Sequence, residues 1–494
     1  MDEEGNFEVV IVGAGCSGIG AAIALRRAGV HDFLVLERAD DVGGVWRDNT
    51  YPGCACDVPS VLYSYSFAPN PAWSRLYSGQ AEIGAYLRRT AHEHGVLPHL
   101  RYGTELRSAR WDELTGRWHL DTGRGRYTAR VLVAAAGPIA EPAVPDLPGL
   151  DTFAGTAFHS ARWDHGHDLT GRRVAVVGTG ASAVQFVPKI APHVGELHLF
   201  QRTASWVLPK FDGPVPPAVQ RLFRRIPAAQ AAARGAVYAL HEAVGVGFDR
   251  PRAMRPIERW ALRRMHQAVT DPDLREVLTP RFALGCKRIL FSNEYYPALT
   301  RPNVQVHATG VREMRADAVV GVDGSVTPVD TIIFGTGFRV TDPPIAERIA
   351  GRDGRTLSEA WRGSPTAYLG TTVTGYPNLF LTLGPNSGSG HASAFSIIEP
   401  QLHYLVDAVR TMRRRGLATV ELRPEVQAEH DIALHRALAG TVYNAGGCAS
   451  YYLDRTGRNS TIWPWSITTL RRRLRHFDAD RYVLREAAPT LEAR

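Results

Sequence analysis

A chain of 494 residues is too long for a single hydrophobic core, so we expect two or three domains. Its 44% hydrophobic and 21% charged residues are typical of a globular protein, and no stretch reaches the ~20 apolar residues that a membrane helix needs. The net charge of +8 could indicate nucleic acid or a membrane surface, but no long basic run is present. We therefore expect no nucleic-acid partner and no stable membrane insertion.

The N-terminus and the cysteines indicate the cellular compartment. Acidic residues lead directly into a hydrophobic strand, a pattern unlike that of a signal peptide. Five cysteines without a C-x-x-C spacing are typical of reduced thiols, so we expect a cytoplasmic protein. Cys54 and Cys56 have no companion ligands nearby in the sequence, and we expect no metal site. We expect a monomer or a weak homo-oligomer.

The first chemical motif is a glycine-rich turn near the N-terminus. A predicted buried strand, Phe7–Val12, runs into Gly13-Ala14-Gly15-Cys16-Ser17-Gly18, and a predicted helix, Ile19–Ala28, follows. The glycines permit a tight turn, close approach of a pyrophosphate and close helix–strand packing, while the helix N-terminus attracts the anion. The next strand, Phe33–Leu36, ends in Glu37, which can bind a ribose hydroxyl pair. This order predicts a dinucleotide site that includes Gly13, Gly15, Ser17, Gly18 and Glu37.

A second turn of the same kind follows the predicted strand Arg173–Val177. It reads Gly178-Thr179-Gly180-Ala181-Ser182-Ala183, in which the final alanine is a permitted variant. The next strand, Glu196–Phe200, leads to Arg202 and Thr203 without an acid at its tip. An arginine and a hydroxyl suit a 2′-phosphate, which a carboxylate would repel. The pattern predicts an NADPH site that includes Gly178, Thr179, Gly180, Ala181, Ser182, Arg202 and Thr203.

The two turns define the predicted architecture, an α/β fold with two Rossmann-like dinucleotide-binding domains. A strand over Arg130–Ala136 and a proline-rich crossover, Pro138–Pro148, separate them. Residues 212–283 are rich in Ala, Arg and Leu at helical spacing, which predicts a helical insertion in the NADPH domain. We expect the alternating segment Asp330–Gly337 to return the chain to the first domain, followed by a helix from about Ser396 to Arg413. The predicted segments are 1–148 and 341–494 for the first domain, and 149–211 and 284–340 for the second.

Between the turns lies a segment that resembles a family fingerprint. Phe153-Ala-Gly155-Thr-Ala-Phe-His159-Ser-Ala-Arg-Trp163-Asp164 looks like the FxGxxxHxxxW motif, followed by Pro or Asp, of Baeyer–Villiger monooxygenases. The related N- and S-oxygenating flavin monooxygenases have another aromatic residue at the tryptophan position, so Trp163 favours ketone oxygenation. The resemblance implies that FAD binds at the first turn and NADPH at the second, with His159 and Trp163 near the cofactors.

Two further signatures carry the resemblance. Gly43-Gly44-Val-Trp46 through Tyr51-Pro52-Gly53 to Asp57 is similar to the family pattern GGxWxxxx(F/Y)PGxxxD, although Ala55 stands where relatives often have arginine. The segment Lys287-Arg288 looks like the family's KR pair. The resemblance implies that Lys287 helps bind the 2′-phosphate, that Arg288 is the catalytic arginine over the flavin and that Asp57 orients it. A fixed guanidinium is suited to this role because it stabilises an anion in a dry site.

The resemblance covers almost the whole chain, from Glu8 to about Trp465, and implies further contacts with the cofactors. These are expected at Arg38, Gly44, Val45, Trp46, Asp57, Tyr63, Leu106, Gly137, Asn386, Lys287 and Arg288. Tyr451 stands where many relatives have tryptophan, which affects substrate choice rather than the type of reaction.

The expected function is that of a flavin-dependent Baeyer–Villiger monooxygenase. The family implies that NADPH and O2 insert one oxygen atom beside a ketone carbonyl, through a flavin C4a-peroxide, to give an ester or lactone. The main alternative is a flavin monooxygenase that acts on amines or sulfides. A flavin reductase or disulfide-type oxidoreductase would need a redox C-x-x-C, which the sequence does not contain, and a non-catalytic flavin sensor would have little use for Arg288. A serine hydrolase is excluded because Gly388-Ser389-Gly390-His391 lacks the G-x-S-x-G spacing.

Overall fold

The computed structural model describes residues 3–249 and 251–487. Within them the strands, numbered in chain order, are β1 Glu3–Val12, β2 Phe33–Leu36, β3 Leu100–Arg101, β4 Leu106–Asp112, β5 Arg117–Thr122, β6 Gly125–Ala134, β7 Thr156–His159, β8 Arg173–Val177, β9 Glu196–Phe200, β10 Val207–Leu208, β11 Leu290–Phe291, β12 Val304–His307, β13 Val311–Arg315, β14 Ala318–Gly321, β15 Val326–Pro328, β16 Thr331–Phe334, β17 Ile349–Ala350, β18 Leu379–Leu381, β19 Leu417–Leu422 and β20 Tyr482–Glu486.

The α-helices are α1 Cys16–Arg27, α2 Val45–Asp48, α3 Gln80–Glu93, α4 Ala181–Ile190, α5 Pro217–Arg225, α6 Pro227–Asp249, α7 Pro251–Ala268, α8 Pro272–Leu278, α9 Tyr295–Leu299, α10 Leu357–Trp361, α11 Ala394–Arg414, α12 Pro424–Leu438, α13 Val442–Ala445 and α14 Ile467–Arg473.

The first sheet is built around β1, whose central residues are fully buried. Its strand order is β17-β4-β5-β6-β1-β2-β3, with β18 also paired to β6. Strands β2 and β6 run parallel to β1, and Val12 is level with both Leu36 and Ala134. Parallel strands buried on both faces read as continuous hydrophobic runs, which explains why β1 and β2 could be recognised in the sequence. Helices α1 and α11 pack together over one face of the sheet.

The second sheet is entirely parallel, with strand order β12-β9-β8-β16-β7. Strands β8 and β9 have the predicted bounds, and α4 connects them as the crossover helix. The two sheets and their crossover helices confirm the predicted α/β fold with two Rossmann-like units. The prediction that Asp330–Gly337 returns the chain to the first domain is wrong, because β16 pairs with β8 and β7 in the second sheet, within the segment 284–340 predicted for the second domain. The chain returns to the first sheet at β17, which pairs with β4.

Helices α5 to α8 lie within residues 212–283, the segment predicted to form a helical insertion. They extend beside the second sheet and contact the first unit as well. Gln220 on α5 donates to the carbonyl of Trp73, and Gln230 on α6 donates to that of Asn70. None of the helices within the described residues is both long enough and apolar enough to cross a lipid bilayer.

The expectation of five reduced thiols is wrong for one pair. Cys286 and Cys448 form a disulfide, whereas Cys16, Cys54 and Cys56 are free thiols. The pair is separated by 162 residues, but folding brings the two Cα atoms within 6.2 Å. The sequence spacing could not predict this pair, because the two cysteines lie in segments that meet only in the tertiary structure. The disulfide joins the segment that carries Arg288 to the segment that carries Tyr451.

Candidate active site

The first glycine turn has the geometry that a bound pyrophosphate requires. Gly13 has φ +105°, and a Cβ there would lie 2.6 Å from the carbonyl oxygen of Ala135. A Cβ on Gly18 would lie 1.8 Å from the carbonyl oxygen of Gly13, so α1 can pack this closely only with glycine. Helix α1, all of which is described, has neither a side-chain cap nor an acidic residue in its first turn. Its N-terminal N–H groups and its dipole therefore favour an anion.

A second glycine pair borders this turn. Gly44 has φ +55°, and a Cβ on it would lie 3.0 Å from the Cα of Gly15. The two backbones therefore form a narrow groove that only glycines permit. Helix α2 begins at Val45, and the indole N–H of the buried Trp46 donates to the hydroxyl of Tyr63 over 3.0 Å. The groove and the fixed aromatic pair together fit a long, flat dinucleotide such as FAD.

Glu37 is buried at the end of β2 and its carboxylate is held in place. The carboxylate accepts the N–H of Ala14 over 2.8 Å and that of Ala39 over 3.0 Å, and Arg47 lies 3.1 Å away. Its neighbour Arg38 forms an ion pair with Glu141 in the crossover. A cleft of 310 Å³ opens beside these side chains and is also lined by Arg162 and Trp163. The structure thus brings Arg38 and Trp163, predicted from separate motifs, to one site.

Three other predicted cofactor residues lie at the start of, or a few residues after, strands of the first sheet. Leu106 is buried at the start of β4, two residues after Thr104, whose N–H binds the carbonyl of Glu37. Gly137 follows β6 with φ +75°. Asn386 is buried, and its amide nitrogen donates to the carbonyls of Asn459 and Ile462. Asn386 therefore holds the C-terminal segment in place, and direct contacts of these three residues with a cofactor stay predictions.

The second glycine turn repeats the first. Gly178 has φ +105°, and a Cβ there would lie 2.6 Å from the carbonyl oxygen of Gly335. Gly180 precedes α4, which begins at Ala181 and Ser182, is described throughout, and has no side-chain cap or acidic residue in its first turn. The hydroxyl of Thr179 donates to the carbonyl of Thr203 over 3.3 Å. This contact fixes the turn against the segment that follows β9.

Two cations converge beyond this turn. The ammonium group of Lys287 donates to the hydroxyl of Thr203 over 3.2 Å, and the exposed Arg202 is the adjacent residue. Partial burial lowers the pKa of Lys287, and the positive charge of Arg202 lowers it further. Two like charges held this close indicate a site for an anion, since a phosphate would relieve their repulsion.

His159 and Trp163 have packing roles. His159 lies at the end of β7, and its Nδ1 accepts the N–H of Ala161 over 3.1 Å. Burial, assisted by the charge of Arg162, lowers the pKa of His159 to about 4, so the ring is neutral at pH 7 and unsuited to carrying protons there. Trp163 packs edge-on against Phe158 and at a tilt against Phe186 of α4, with ring centroids 5.3 Å apart in both pairs. His159 therefore fixes the turn that follows β7, and Trp163 packs this segment against α4.

Asp57 lies where the two units meet, and it contacts two cations. Its side chain is 7% exposed, and its Oδ1 is 3.2 Å from the ammonium group of Lys210. Its Oδ2 is 3.8 Å from the guanidinium of Arg288. Gln185 on α4 donates to Asp57 Oδ1 over 3.4 Å and also binds both backbone groups of Ala55. The two residues predicted to be catalytic are therefore adjacent, and α4 of the second unit holds the loop that carries one of them.

The charge of Arg288 is reinforced by this arrangement. Nearly half of its side chain is exposed, but protein surrounds it on most sides, and this partial desolvation would lower its pKa. Burial is the largest single effect on this pKa, but the negative charge of Asp57 and the smaller contributions of Tyr451 and Tyr452 together outweigh it and raise the pKa above the usual value. One carboxylate facing two cations leaves a net positive charge at the junction of the units. Such a charge can stabilise an anion that forms there.

Sequence reasoning missed Lys210 and Gln185. Lys210 also donates to the carbonyl of Cys56 over 2.9 Å, so it is a fixed part of the Asp57 loop. The signal available in the sequence was the rarity of lysine, because the only lysines are Lys189, Lys210 and Lys287. Gln185 stands on the helix that follows the second glycine turn, where polar side chains would not ordinarily attract notice.

The two glycine turns, the paired Rossmann units and the anion site at Arg202 define a pyridine nucleotide-dependent flavoenzyme. The family model described as pyridine nucleotide-disulphide oxidoreductase matches residues 10–232. This match spans both turns, and the redox C-x-x-C that such a name would suggest is absent from the sequence.

The chain belongs to the Baeyer–Villiger monooxygenase family. It is 49% identical over 486 residues to a Baeyer–Villiger monooxygenase of Streptomyces coelicolor, covering 98% of this chain and 94% of that protein. A Baeyer–Villiger monooxygenase of Pseudomonas aeruginosa is 46% identical over 480 residues, covering 97% and 91% of the two chains. These matches extend over both units and confirm the resemblance inferred from the motifs.

Solved structures agree with this assignment. An oxidized steroid monooxygenase bound to NADP superposes with a TM-score of 0.87 at 31% identity, covering 98% of this chain and all of that one. A cyclohexanone monooxygenase from Rhodococcus sp. Phi1 bound to NADP+ superposes with a TM-score of 0.87 at 28% identity, with the same coverage. The fold and the family are therefore those of Baeyer–Villiger monooxygenases.

Proposed function

We propose that this protein uses NADPH, FAD and O2 to insert one oxygen atom beside the carbonyl of a ketone, giving an ester or lactone. The observation that carries the proposal is the position of Asp57, Lys210 and Arg288 at the junction between the two glycine-turn units. A site that receives both cofactors needs a fixed positive charge where they meet, and this cluster is placed to supply it.

The residues that would hold FAD belong to the first unit. The groove between Gly15 and Gly44 admits a chain of phosphates, the uncapped start of α1 favours their charge, and Glu37 is positioned for a ribose. Bound FAD supplies hydride acceptance and the activation of dioxygen, which no side chain can perform. The protein orients the cofactor and excludes water from its reactive face.

The residues that would hold NADPH belong to the second unit. The turn at Gly178 and the start of α4 bind the pyrophosphate, while Arg202, Thr203 and Lys287 bind the 2′-phosphate. Because Lys287 and Arg288 are consecutive, the residue that recognises the 2′-phosphate directly precedes the residue that faces Asp57. Binding of NADPH would therefore order the segment that carries Arg288.

Arg288 would act on charge rather than on protons. Its raised pKa keeps the guanidinium positive at every physiological pH, so it stabilises negative charge and donates hydrogen bonds without changing its ionisation state. Asp57 fixes one edge of the guanidinium, and Lys210 limits how much of the positive charge Asp57 cancels. The nearby disulfide holds the Arg288 segment against the C-terminal segment.

The test is an oxygenation assay with the purified flavoprotein. We expect NADPH consumption to increase on addition of a cyclic or open-chain ketone, and 18O from labelled O2 to be found in an ester or lactone by mass spectrometry. The panel should include an amine and a sulfide. Incorporation of 18O into the heteroatom substrates alone would support an N- or S-oxygenase and overturn the proposal.

A further inference from the structure

Helix α6 exposes an apolar face to solvent. From Pro227 to Val246, every exposed residue of α6 is a proline, alanine, glycine, leucine or valine. The largest of them, Leu240, Val244 and Val246, are 63%, 44% and 53% exposed. Leu240 and Val244 are one helical turn apart and, with the exposed alanines of the preceding turns, form a strip along one side of the helix, which we call the α6 face; Val246 is exposed on another side, near the end of the helix. A long apolar strip on the outside of a protein marks a site of interaction.

The orientation of α6 is fixed by its polar side chains, which point inward. Arg234 donates to the carbonyls of Val61 and Leu62, and the hydroxyl of Tyr238 lies 3.0 Å from that of Thr468. Glu242 accepts the N–H groups of Ile467 and Thr468 over 3.0 Å. A surface helix ordinarily places its polar residues outward and its apolar residues inward. In α6 this arrangement is inverted, and the inward hydrogen bonds prevent the helix from rotating to bury its apolar face.

The helices on either side of α6 are strongly basic. Helix α5, which packs on α6, exposes Arg221, Arg224 and Arg225, and α7, which also contacts α6, exposes five arginines between residues 252 and 264. Among the described side chains of these three helices the acidic ones are Glu242 and Glu258. Glu242 is turned inward, and Glu258 accepts the N–H of Leu284 over 2.8 Å. The arginines are therefore not neutralised by the described acidic side chains of the same helices. Although the sequence contains no long basic run, folding gathers positive charge around the apolar strip.

We propose that the α6 face, with the arginines of α5 and α7, docks on the surface of a lipid bilayer that contains anionic lipids. An apolar strip flanked by cations matches the two layers of such a surface, because alkyl side chains enter the boundary of the acyl region while guanidinium groups bind phosphates. The helix lies along the surface and does not cross it, because it carries polar residues such as Arg234 and Glu242 and is not apolar enough to span a bilayer.

Other partners fit this surface less well. Nucleic acid would be attracted by the arginines, but alanine, leucine and valine side chains offer its phosphates no hydrogen bonds along the centre of the strip. A second copy of the chain would cover the strip, but it would bring eight exposed arginines of one protomer against the same eight of the other. A bilayer with anionic headgroups satisfies both the apolar and the basic parts of the surface.

The docking surface adjoins the candidate active site. A Cβ on Gly245 of α6 would lie 2.6 Å from the ring of His391, and Phe248 of α6 stacks on Tyr443 with ring centroids 5.4 Å apart. Phe248 also contacts Gly285, three residues before Arg288. The helix that would face the bilayer therefore forms part of the wall beside the Arg288 segment. The docking proposal itself does not depend on which reaction the enzyme performs.

The test is a vesicle flotation assay with the full-length, FAD-loaded protein. We expect binding to vesicles of phosphatidylcholine containing roughly 30 mol % phosphatidylglycerol, and much weaker binding to phosphatidylcholine alone. Leu240→Asp and, separately, Val244→Asp should each reduce the partition coefficient at least about tenfold. Arg255→Glu combined with Arg259→Glu should reduce it further and should abolish its dependence on the anionic lipid. The matched control is Leu114→Asp, because Leu114 is 97% exposed on the β4–β5 turn, far along the chain from α6.

Circular dichroism and flavin content would establish that each variant is folded. The proposal is overturned if wild-type protein does not float with anionic vesicles at low salt, or if the α6 variants float as well as the Leu114→Asp control. It is also overturned if Leu240→Asp dissociates a dimer seen by analytical ultracentrifugation while vesicle binding is absent. Tight binding of duplex DNA without vesicle binding would assign the surface to nucleic acid instead.

Discussion

The ammonium group of Lys210 lies 3.2 Å from the carboxylate of Asp57, closer than the guanidinium of Arg288 at 3.8 Å. The lysine is well buried, with 13% of its side chain exposed. Asp57 is thus not a simple partner of Arg288 but a carboxylate shared between two cations. Because its negative charge is shared, Asp57 neutralises less of the positive charge of Arg288 than it would in an exclusive ion pair.

Replacing Lys210 tests that arrangement. In Lys210→Met, Asp57 should draw Arg288 toward itself, so kcat for oxygenation should fall about tenfold or more while the KM for NADPH changes little. The free energy of unfolding should fall by about 1.5–3 kcal/mol, because a hydrogen bond to a buried charge is lost. Lys210→Arg should recover part of the activity. The control is Lys189→Met, which removes an exposed ion pair with Glu294 and should leave both quantities unchanged. Equal behaviour of the two methionine variants would contradict the role of Lys210.

Arg288→Ala removes the cation expected to stabilise negative charge. We expect ester or lactone formation to fall by about 100-fold or more, while reduction of the bound flavin by NADPH remains measurable by anaerobic stopped-flow absorbance. Arg281→Ala is the matched control, since Arg281 is 79% exposed and its ion pair among the described residues is with the exposed Glu276. An Arg288→Ala enzyme that retained its product yield would exclude the catalytic role.

Arg202 is expected to distinguish NADPH from NADH. In Arg202→Ala the KM for NADPH should rise about tenfold or more, because a charge-assisted hydrogen bond to the 2′-phosphate is lost, and the KM for NADH should change little. Steady-state kinetics with both cofactors provide the measurement. If the two KM values rose by the same factor, the phosphate would have to bind elsewhere.

His159 is expected to make the fold sensitive to acid. Its folded-state pKa is about 4, below the unfolded value of 6.5, because burial disfavours the charged ring. The contribution of the neutral ring to the free energy of unfolding is therefore complete above pH 6.5. It is lost as the pH falls from 6.5 toward 4, because the unfolded chain takes up the proton at a higher pH than the folded chain does. Between pH 7 and pH 5 this amounts to about 2 kcal/mol. Urea unfolding at both pH values should show a smaller acid loss in His159→Gln than in the wild type; an identical loss would contradict the low pKa.

The number of free thiols in the protein tests the Cys286–Cys448 disulfide. Alkylation of the unfolded protein without reductant should label three cysteines, Cys16, Cys54 and Cys56, and alkylation after reduction should label all five. Cys448→Ser should lower the free energy of unfolding by about 2–4 kcal/mol, since a long loop is no longer closed in the unfolded chain. Cys54→Ser is the control. Labelling of five thiols without reductant would show that the pair is reduced in solution.

The sequence by itself determined the two nucleotide units, because their turns are local. Glycines at fixed spacing, buried strands with continuous hydrophobic runs and the residue at each strand tip depend only on neighbours along the chain. Strands β2, β8 and β9 consequently have the predicted bounds. The adjacency of Asp57 and Arg288 came from the family resemblance rather than from spacing.

Only the tertiary structure decided the contacts between distant segments. Lys210 and Gln185 reach Asp57 from separate elements, and Cys286 meets Cys448 across 162 residues. Strand β16 belongs to the second sheet because it pairs with β7 and β8, and no local sequence pattern specifies these partners. The exposure of the apolar face of α6 also depends on contacts between distant segments. Its composition is visible in the sequence, but which side faces solvent is fixed by hydrogen bonds from Arg234 and Glu242 to residues far away in the chain.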